Sequence, residues 1–378
     1  LSSSSAASDV YKRQVYSMTS KTTAASMIPI IFTSGLFVSS FISNYIYQYF
    51  TQKQVLWIFQ GLKLVSLSII ASLLIFEESP IFIFILLFIN ALFDGFTNPI
   101  KNAMIPFIEK KEYITSANAL MNMMSSMVQL STWALGGFLM SLIGAKYLFL
   151  FALVLEILSY FFIIQLSERH IYNNEKENIL NSFKTVLRHN YSNKLSLYLN
   201  LSIIFESVAT SIWVAAIILT YTRTFLHVDD FWFGLINAAF FSGTIIAGLW
   251  MNDKDQFFTK ISYPIIIYIP LILAFINASF ILHQSVLLAL LMSLLMGIFE
   301  DSRYISLNSV VQREVPKEAL TSTYILNNLL SSIFFSLGTL GISLVVDNQG
   351  VMWAYVISSV AYVLTFVLGL YFKTAIKN

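Results

Sequence analysis

KEYITSANALMNMMSS (residues 111–126) and KEALTSTYILNNLLSS (residues 317–332) are two versions of one sequence, 206 residues apart. Lys111, Glu112, Thr115, Ser116, Leu120, Asn122, Ser125 and Ser126 fall on Lys317, Glu318, Thr321, Ser322, Leu326, Asn328, Ser331 and Ser332. These identities are mostly polar, whereas chance matches in low-complexity apolar sequence would be apolar. In the same frame Phe93, Asp94 and Asn102 meet Phe299, Glu300 and Asn308. An earlier block aligns at a shift of 208, where Ser34, Gly35, Asn44, Gln48, Phe50 and Thr51 meet Ser242, Gly243, Asn252, Gln256, Phe258 and Thr259. Self-similarity at a fixed offset is the mark of a duplicated architecture, so the chain reads as two copies of one unit.

Composition says what the unit is made of. The 378 residues are 57% hydrophobic and 11% charged, against about 25% charged in an ordinary soluble domain. That is too few charges to cover a soluble fold, which excludes a cytosolic enzyme, a secreted globule and a disordered tail. A net charge of +2 gives no basic field for nucleic acid. Without cysteine there is no disulfide framework, thiol nucleophile or thiolate metal site. A membrane span needs about 20 mostly apolar residues. Eleven such segments run through 24–46, 55–76, 81–105, 118–143, 146–166, 197–222, 231–250, 262–282, 284–305, 320–345 and 351–372. None shows the sustained short-period alternation of a transmembrane β-barrel. The expected fold is an all-α polytopic membrane protein.

Orientation follows from the loops, because Lys and Arg collect on the cytoplasmic side. One set of loops and the C-terminal tail hold fourteen, Lys53, Lys110 and Lys111 among them, while the alternate set holds only Lys146. This puts the C-terminus in the cytoplasm of a multi-pass plasma-membrane protein. Residues 1–14, LSSSSAASDVYKRQ, break the pattern. They resemble read-through of a sequencing adapter and are set aside as non-native. Two halves of like orientation need an even number of spans each, and the second half has six to the first half's five. The expectation is a twelve-span protein whose first span is missing here. Its parts would be an N-terminal bundle at 15–166, a cytoplasmic amphipathic linker at 167–196, a C-terminal bundle at 197–372 and a tail at 373–378. In the linker Ile179, Phe183, Val186 and Leu187 stand at helical spacing.

Six plus six spans in parallel repeat is the plan of the major facilitator superfamily, which this chain resembles. NPIKNAMIPFIEKKEYITSANALMNMMSS (98–126) is similar to the fourth-to-fifth-span signature of its macrolide-efflux and siderophore-exporter branch. Pro99, Ile105-Pro106 and Ala117-Asn118-Ala119-Leu120 carry that likeness. Two motifs depart from the family pattern. The loop 46–53, IYQYFTQK, keeps Lys53 as a gating residue but lacks the Asp-Arg pair. TWALGG (132–137) keeps Gly136 and Gly137 but lacks Gly-Pro. These losses weaken the expectation of proton–drug antiport but not of the fold.

Ionisable residues within spans are costly in lipid and are therefore functional candidates. Asp94 and Glu300 are equivalent in the repeat, and the resemblance places their spans along a central cavity, where they would take up protons or meet a cationic substrate. The alternative is pairing with a nearby cation, Lys101 for Asp94 and Arg303 for Glu300. Asp301 lies off the Glu300 face. Glu206 shares a helical face with Thr210 and Trp213, suited to a cationic amphiphile. Its alternative is an ion pair with Lys63 or with the absent span. Lys63 and Glu156 read as a structural pair. Gly136, Gly137, Pro99 and Lys53 are gating or packing candidates, and Gly243 with Ala247 forms a small-residue packing pair.

No metal spacing and no H-E-x-x-H, G-x-S-x-G or P-loop motif is present, so no enzyme, catalytic residue, metal or cofactor is expected. The function expected is proton-driven efflux of an amphiphilic, drug-like or macrolide-like small molecule by a monomer working through alternating access. The lipid bilayer, protons and that substrate would be its partners. The competing readings are a metabolite importer of the same fold and a non-transporting membrane scaffold or immunity protein.

Overall fold

The computed structural model describes residues 22–75, 80–165, 184, 188 and 194–373. The described residues are helical apart from short turns and loops. The helices are α1 (Thr22–Ile46), α2 (Gln52–Ile75), α3 (Pro80–Ile108), α4 (Ile114–Ile164), α5 (Lys194–Thr210), α6 (Ala215–Thr220), α7 (Asp230–Asp253), α8 (Asp255–Ser279), α9 (Val286–Glu314), α10 (Lys317–Gln349) and α11 (Met352–Tyr371). An all-helical chain is what lipid demands, since each helix satisfies its own backbone hydrogen bonds. Among the described residues, six helices or helical runs are long and apolar enough to cross a membrane. α9 is not one of them, because Glu300, Asp301 and Arg303 interrupt it. The proposed opening segment 1–14 and most of the linker 167–196 lie outside the described residues.

Two segments differ from the expected spans. The anticipated break at 143–146 is absent, and α4 runs unbroken for 51 residues. At about 1.5 Å per residue it holds two membrane lengths of helix. Gly144-Ala145-Lys146 contains no proline, and Ala and Lys favour helix, so nothing local forces a stop. The span expected at 197–222 is instead broken. α5 ends at Thr210, a 3₁₀ turn occupies Ser211–Trp213, and Val214 is extended at φ −65°, ψ 134°. α6 then leads into a π-helical turn at Tyr221–Phe225, and His227 follows in the left-handed region at φ 55°. Broken helices at membrane depth are tolerated where protein surrounds them. Here Ile212, Ile217, Ile218, Tyr221 and Phe225 are all buried in one apolar cluster with residues of α8, α9 and α11.

The chain divides into two compact units that interleave along the sequence. One takes the described residues of Leu1–Ala103, Leu135–Arg188 and Thr321–Ser332. The other takes Met104–Ala134, His189–Leu320 and those of Ile333–Asn378.

Each unit carries the same close helix crossing at equivalent repeat positions. A Cβ on Gly35 of α1 would lie 2.7 Å from the Phe88 carbonyl oxygen of α3. A Cβ on Gly243 of α7 would lie 2.1 Å from the Leu294 carbonyl oxygen of α9. Phe88 and Leu294 are 206 residues apart, so the duplication read from polar identities reappears as backbone geometry. Small residues permit this approach, and dispersion contacts between the backbones follow.

Candidate functional site

The first unit buries a knot of two carboxylates around one lysine. Lys63 Nζ of α2 lies 2.8 Å from Asp94 Oδ1 of α3 and 3.9 Å from Glu156 Oε1 of α4. Gln60, one turn before Lys63, donates from Nε2 to the same Glu156 oxygen at 2.5 Å. All four side chains are buried. Lys63 is therefore the partner of Asp94. Lys101, the partner suggested by spacing along α3, makes no ion pair with Asp94 among the described residues. A lysine stem is long enough to reach across from the next helix, which spacing within one helix does not reveal. The expected Lys63–Glu156 pairing is present as the longer arm of the knot. Pro99 lies between Asp94 and Lys101 within α3; lacking an N–H, it leaves the Gly95 carbonyl without its helical partner. Lys53 sits in the first turn of α2, ten residues and about 15 Å of helix before Lys63. Gly136 and Gly137 fall within α4, in a stretch whose side-chain surroundings lie outside the described residues.

The second unit sets three half-buried carboxylates, Glu206, Glu300 and Asp301, near one buried cation. Arg303 of α9 is 2% exposed. Its Nη1 pairs with Glu206 Oε2 of α5, its Nε donates to the Ile266 carbonyl of α8 at 3.1 Å, and its Nη2 reaches Tyr198 Oη at 3.5 Å. Three anchors on two helices fix the guanidinium plane, which a lysine could not match. Glu206 thus pairs with Arg303 and not with Lys63, which is engaged by Asp94, so Arg303 serves Glu206 more directly than Glu300. Glu300 Oε2, Asp301 Oδ2 and Glu206 Oε1 are buried with no hydrogen-bond partner among the described residues. Asp301 Oδ1 accepts from Asn122 Nδ2 of α4 at 3.2 Å. Asp301, off the Glu300 face as expected, is therefore held by an amide rather than a cation.

Trp213 does not share the Glu206 face, because the helix breaks between them. Its ring packs 4.6 Å from that of Phe240 and 6.1 Å from that of Phe280, centroid to centroid, and its indole Nε1 is buried without a partner among the described residues. Thr210 bonds back to the Glu206 carbonyl at 2.9 Å, a local competition that helps end the helix there.

A second polar cluster stands where α4 begins. Asp255 Oδ1, at the start of α8, accepts from the Ser116 N–H at 2.9 Å. This places a carboxylate on the positive end of the α4 dipole. Ser116 Oγ bonds to Asn252, and Thr115 Oγ1 lies 3.1 Å from Thr259 Oγ1. Arg313 bridges both threonines and reaches the Lys111 carbonyl at 3.4 Å. One turn further along α4, Asn118 donates to Gln312 Oε1 at 2.7 Å and receives from Gln312 Nε2 at 3.3 Å. Spacing rules aimed at buried charges missed this cluster. A signal for it was nevertheless present: Thr115, Ser116, Asn252 and Thr259 are all identities of the internal repeat.

Comparison with known proteins shows the family of this fold. The model of the Major Facilitator Superfamily matches residues 13–339. The chain belongs to the major facilitator superfamily. It is 24% identical over 303 residues to the uncharacterized MFS-type transporter YfmI of Bacillus subtilis, covering 78% of this chain and 73% of that protein. It is 23% identical over 363 residues to YjbB of the same organism, also an uncharacterized MFS-type transporter, covering 94% and 88%. In structure it resembles a bacterial homologue of the iron transporter ferroportin in the outward-facing state, at TM-score 0.76 and 16% identity over 99% of this chain and 97% of that one. The E. coli fucose:proton symporter FucP follows the same fold at TM-score 0.74 and 12% identity over 98% and 95%. The chain is an integral membrane transporter of major-facilitator type and not an enzyme.

Proposed function

We propose that this transporter is a proton-driven exporter of an amphiphilic, drug-like small molecule, acting as a monomer by alternating access in the plasma membrane. In this reading the Lys- and Arg-rich loops and the C-terminus face the cytoplasm. The bundle at 15–166 and the six-span bundle at 197–372 are joined by the 167–196 linker, and the chain sits in the macrolide-efflux and siderophore-exporter branch.

The observation that carries the proposal is the surplus of carboxylates in the second unit. Glu206, Glu300 and Asp301 are half-buried, each with one buried carboxylate oxygen that has no hydrogen-bond partner among the described residues, and Arg303 is the buried cation among them. Isolated buried carboxylates are so costly in a low dielectric that they take up protons or cations instead. A group that must be neutralised to stay buried, and ionises when water reaches it, carries a proton between the two sides. Direction is supported by the likeness of residues 98–126 to exporters.

The test is efflux of a lipophilic dye from cells expressing the protein, with and without a protonophore. Export that the protonophore abolishes supports the proposal. Export unaffected by it removes the proton, and accumulation in place of export reverses the direction. Glu300→Gln keeps the shape and removes the charge. It is expected to stop driven efflux while leaving expression unchanged, whereas an unaltered transport phenotype in Glu300→Gln and Asp94→Asn would favour a non-transporting role.

A further inference from the structure

We infer that Asn122 is a coupling residue, the link through which a change of charge at Asp301 is passed to the polar cluster at the start of α4. The inference rests on the reading of Asp301 as a carboxylate that loads and unloads. Asn118 and Asn122 are four residues apart on α4 and therefore share a face. Asn118 is locked in a reciprocal amide pair with Gln312, and Asn122 donates to Asp301. Gln312 and Asp301 are eleven residues apart on the same α9, three helical turns. Two rigid helices are thus pinned to each other at two heights, the upper pin charge-neutral and the lower one ending on a carboxylate.

The lower pin is the one whose strength can change. A hydrogen bond to an ionised carboxylate is about twice as strong as a neutral one, so neutralising Asp301 weakens it while leaving the Asn118–Gln312 pair untouched. Asn122 is what faces Asp301 from α4. Along α9 its charged neighbours are Glu300 and Arg303, and Arg303 is committed to Glu206 of α5. Asp301 Oδ2 has no partner among the described residues, so no second bond fixes the carboxylate when the first loosens. The consequence falls on an apolar plug: Ala119, between the two asparagines, is fully buried with Met251, Phe258 and Ile305. It sits against α7 where a Cβ on Gly248 would come within 3.0 Å of its carbonyl oxygen.

The chain contains no cysteine, so Ala119→Cys is a background-free reporter of that plug. The experiment measures the rate at which a bulky maleimide labels Ala119→Cys in the detergent-solubilised full chain, alone and combined with Asn122→Ala, Asp301→Asn or both. Each single change is expected to raise the rate about tenfold, as loss of a charge-assisted bond implies, and the double change to raise it no further. An unchanged rate in Asn122→Ala overturns the inference, as do effects that multiply to about a hundredfold, because the residues would then act independently. Asp253→Cys, on an exposed side chain, controls for folding and should label equally in every background. If it does not in Asn122→Ala, the decision passes to Asn122→Ser, judged by the same two outcomes. The assay uses neither a proton gradient nor a substrate, so failure of proton-driven efflux and failure of the coupling are separate results.

Discussion

Asp94 and Glu300 occupy the same place in the internal repeat, and each keeps one buried carboxylate oxygen with no hydrogen-bond partner among the described residues. Yet Asp94 is fully buried and held 2.8 Å from Lys63, whereas Glu300 is half-buried and makes no ion pair among the described residues. The first unit holds its two carboxylates with a lysine from a neighbouring helix and, on Glu156, an amide from Gln60. The second spends its arginine on Glu206, Ile266 and Tyr198 and leaves Glu300 and Asp301 to other means. Duplicated backbones have thus been given unequal electrostatics. A paired buried charge specifies geometry and resists change; an unpaired one demands a proton or a cation. Under the proposed function this difference is a division of labour, with the first unit as a fixed scaffold and the second as the one that loads.

The largest expected effect comes from removing the cation of the second unit. Arg303→Leu leaves Glu206 without its partner among further carboxylates and should lower stability by about 3–5 kcal/mol, read as a fall in midpoint of thermal unfolding in detergent. Arg303→Lys should recover only part, since a point charge cannot serve Glu206 and the Ile266 carbonyl together. If Arg303→Leu is as stable as the parent, the carboxylates are already neutral and the comparison between units fails.

Breaking the first unit should show the opposite logic. Lys63→Met strands Asp94 and, at longer range, Glu156, and should destabilise by about 3 kcal/mol, while Lys63→Met combined with Asp94→Leu should recover most of that loss, because an apolar pair replaces the short arm of the knot and Glu156 keeps the Gln60 amide. Transport should survive in the double variant if this knot is scaffold. Its loss at restored stability would assign Asp94 to the transport cycle and erase the division of labour.

A smaller effect tests the shared geometry. Gly243→Ala puts a methyl 2.1 Å from the Leu294 carbonyl and Gly35→Ala one 2.7 Å from that of Phe88. Overpacking of this kind costs about 1–3 kcal/mol, with Gly243 the worse of the two. Gly341 has open space around its Cβ position and lies within α10, so Gly341→Ala should be neutral or stabilise by up to about 1 kcal/mol. Equal losses at Gly35, Gly243 and Gly341 would mean that helix propensity, not close crossing, governs all three.

Much of this was legible before any coordinates. The duplication, the helical class and the superfamily follow from polar identities at fixed offset and from apolar runs of membrane length. The chemistry of lipid leaves a chain so poor in charge few other options. The buried ionisable residues were also visible, because any Asp, Glu, Lys or Arg within an apolar run stands out. Their partners were not. Glu206 finds Arg303 across 97 residues, and Asp94 finds Lys63 on another helix, since long side chains reach wherever tertiary packing brings the neighbours. Nor did the sequence announce the break at Ser211–Val214, where no proline or glycine stands; surrounding packing overrides local propensity there.

What the amino-acid order determined by itself was periodicity and cost: which segments are apolar over a membrane length, which positions repeat, and which groups are expensive to bury. What the tertiary structure alone decided was who neutralises whom. Hydrophobic length is additive along the chain and can be summed from one residue to the next. Charge pairing is set by distances of a few ångströms between helices far apart in sequence, and those distances exist only once the helices have packed.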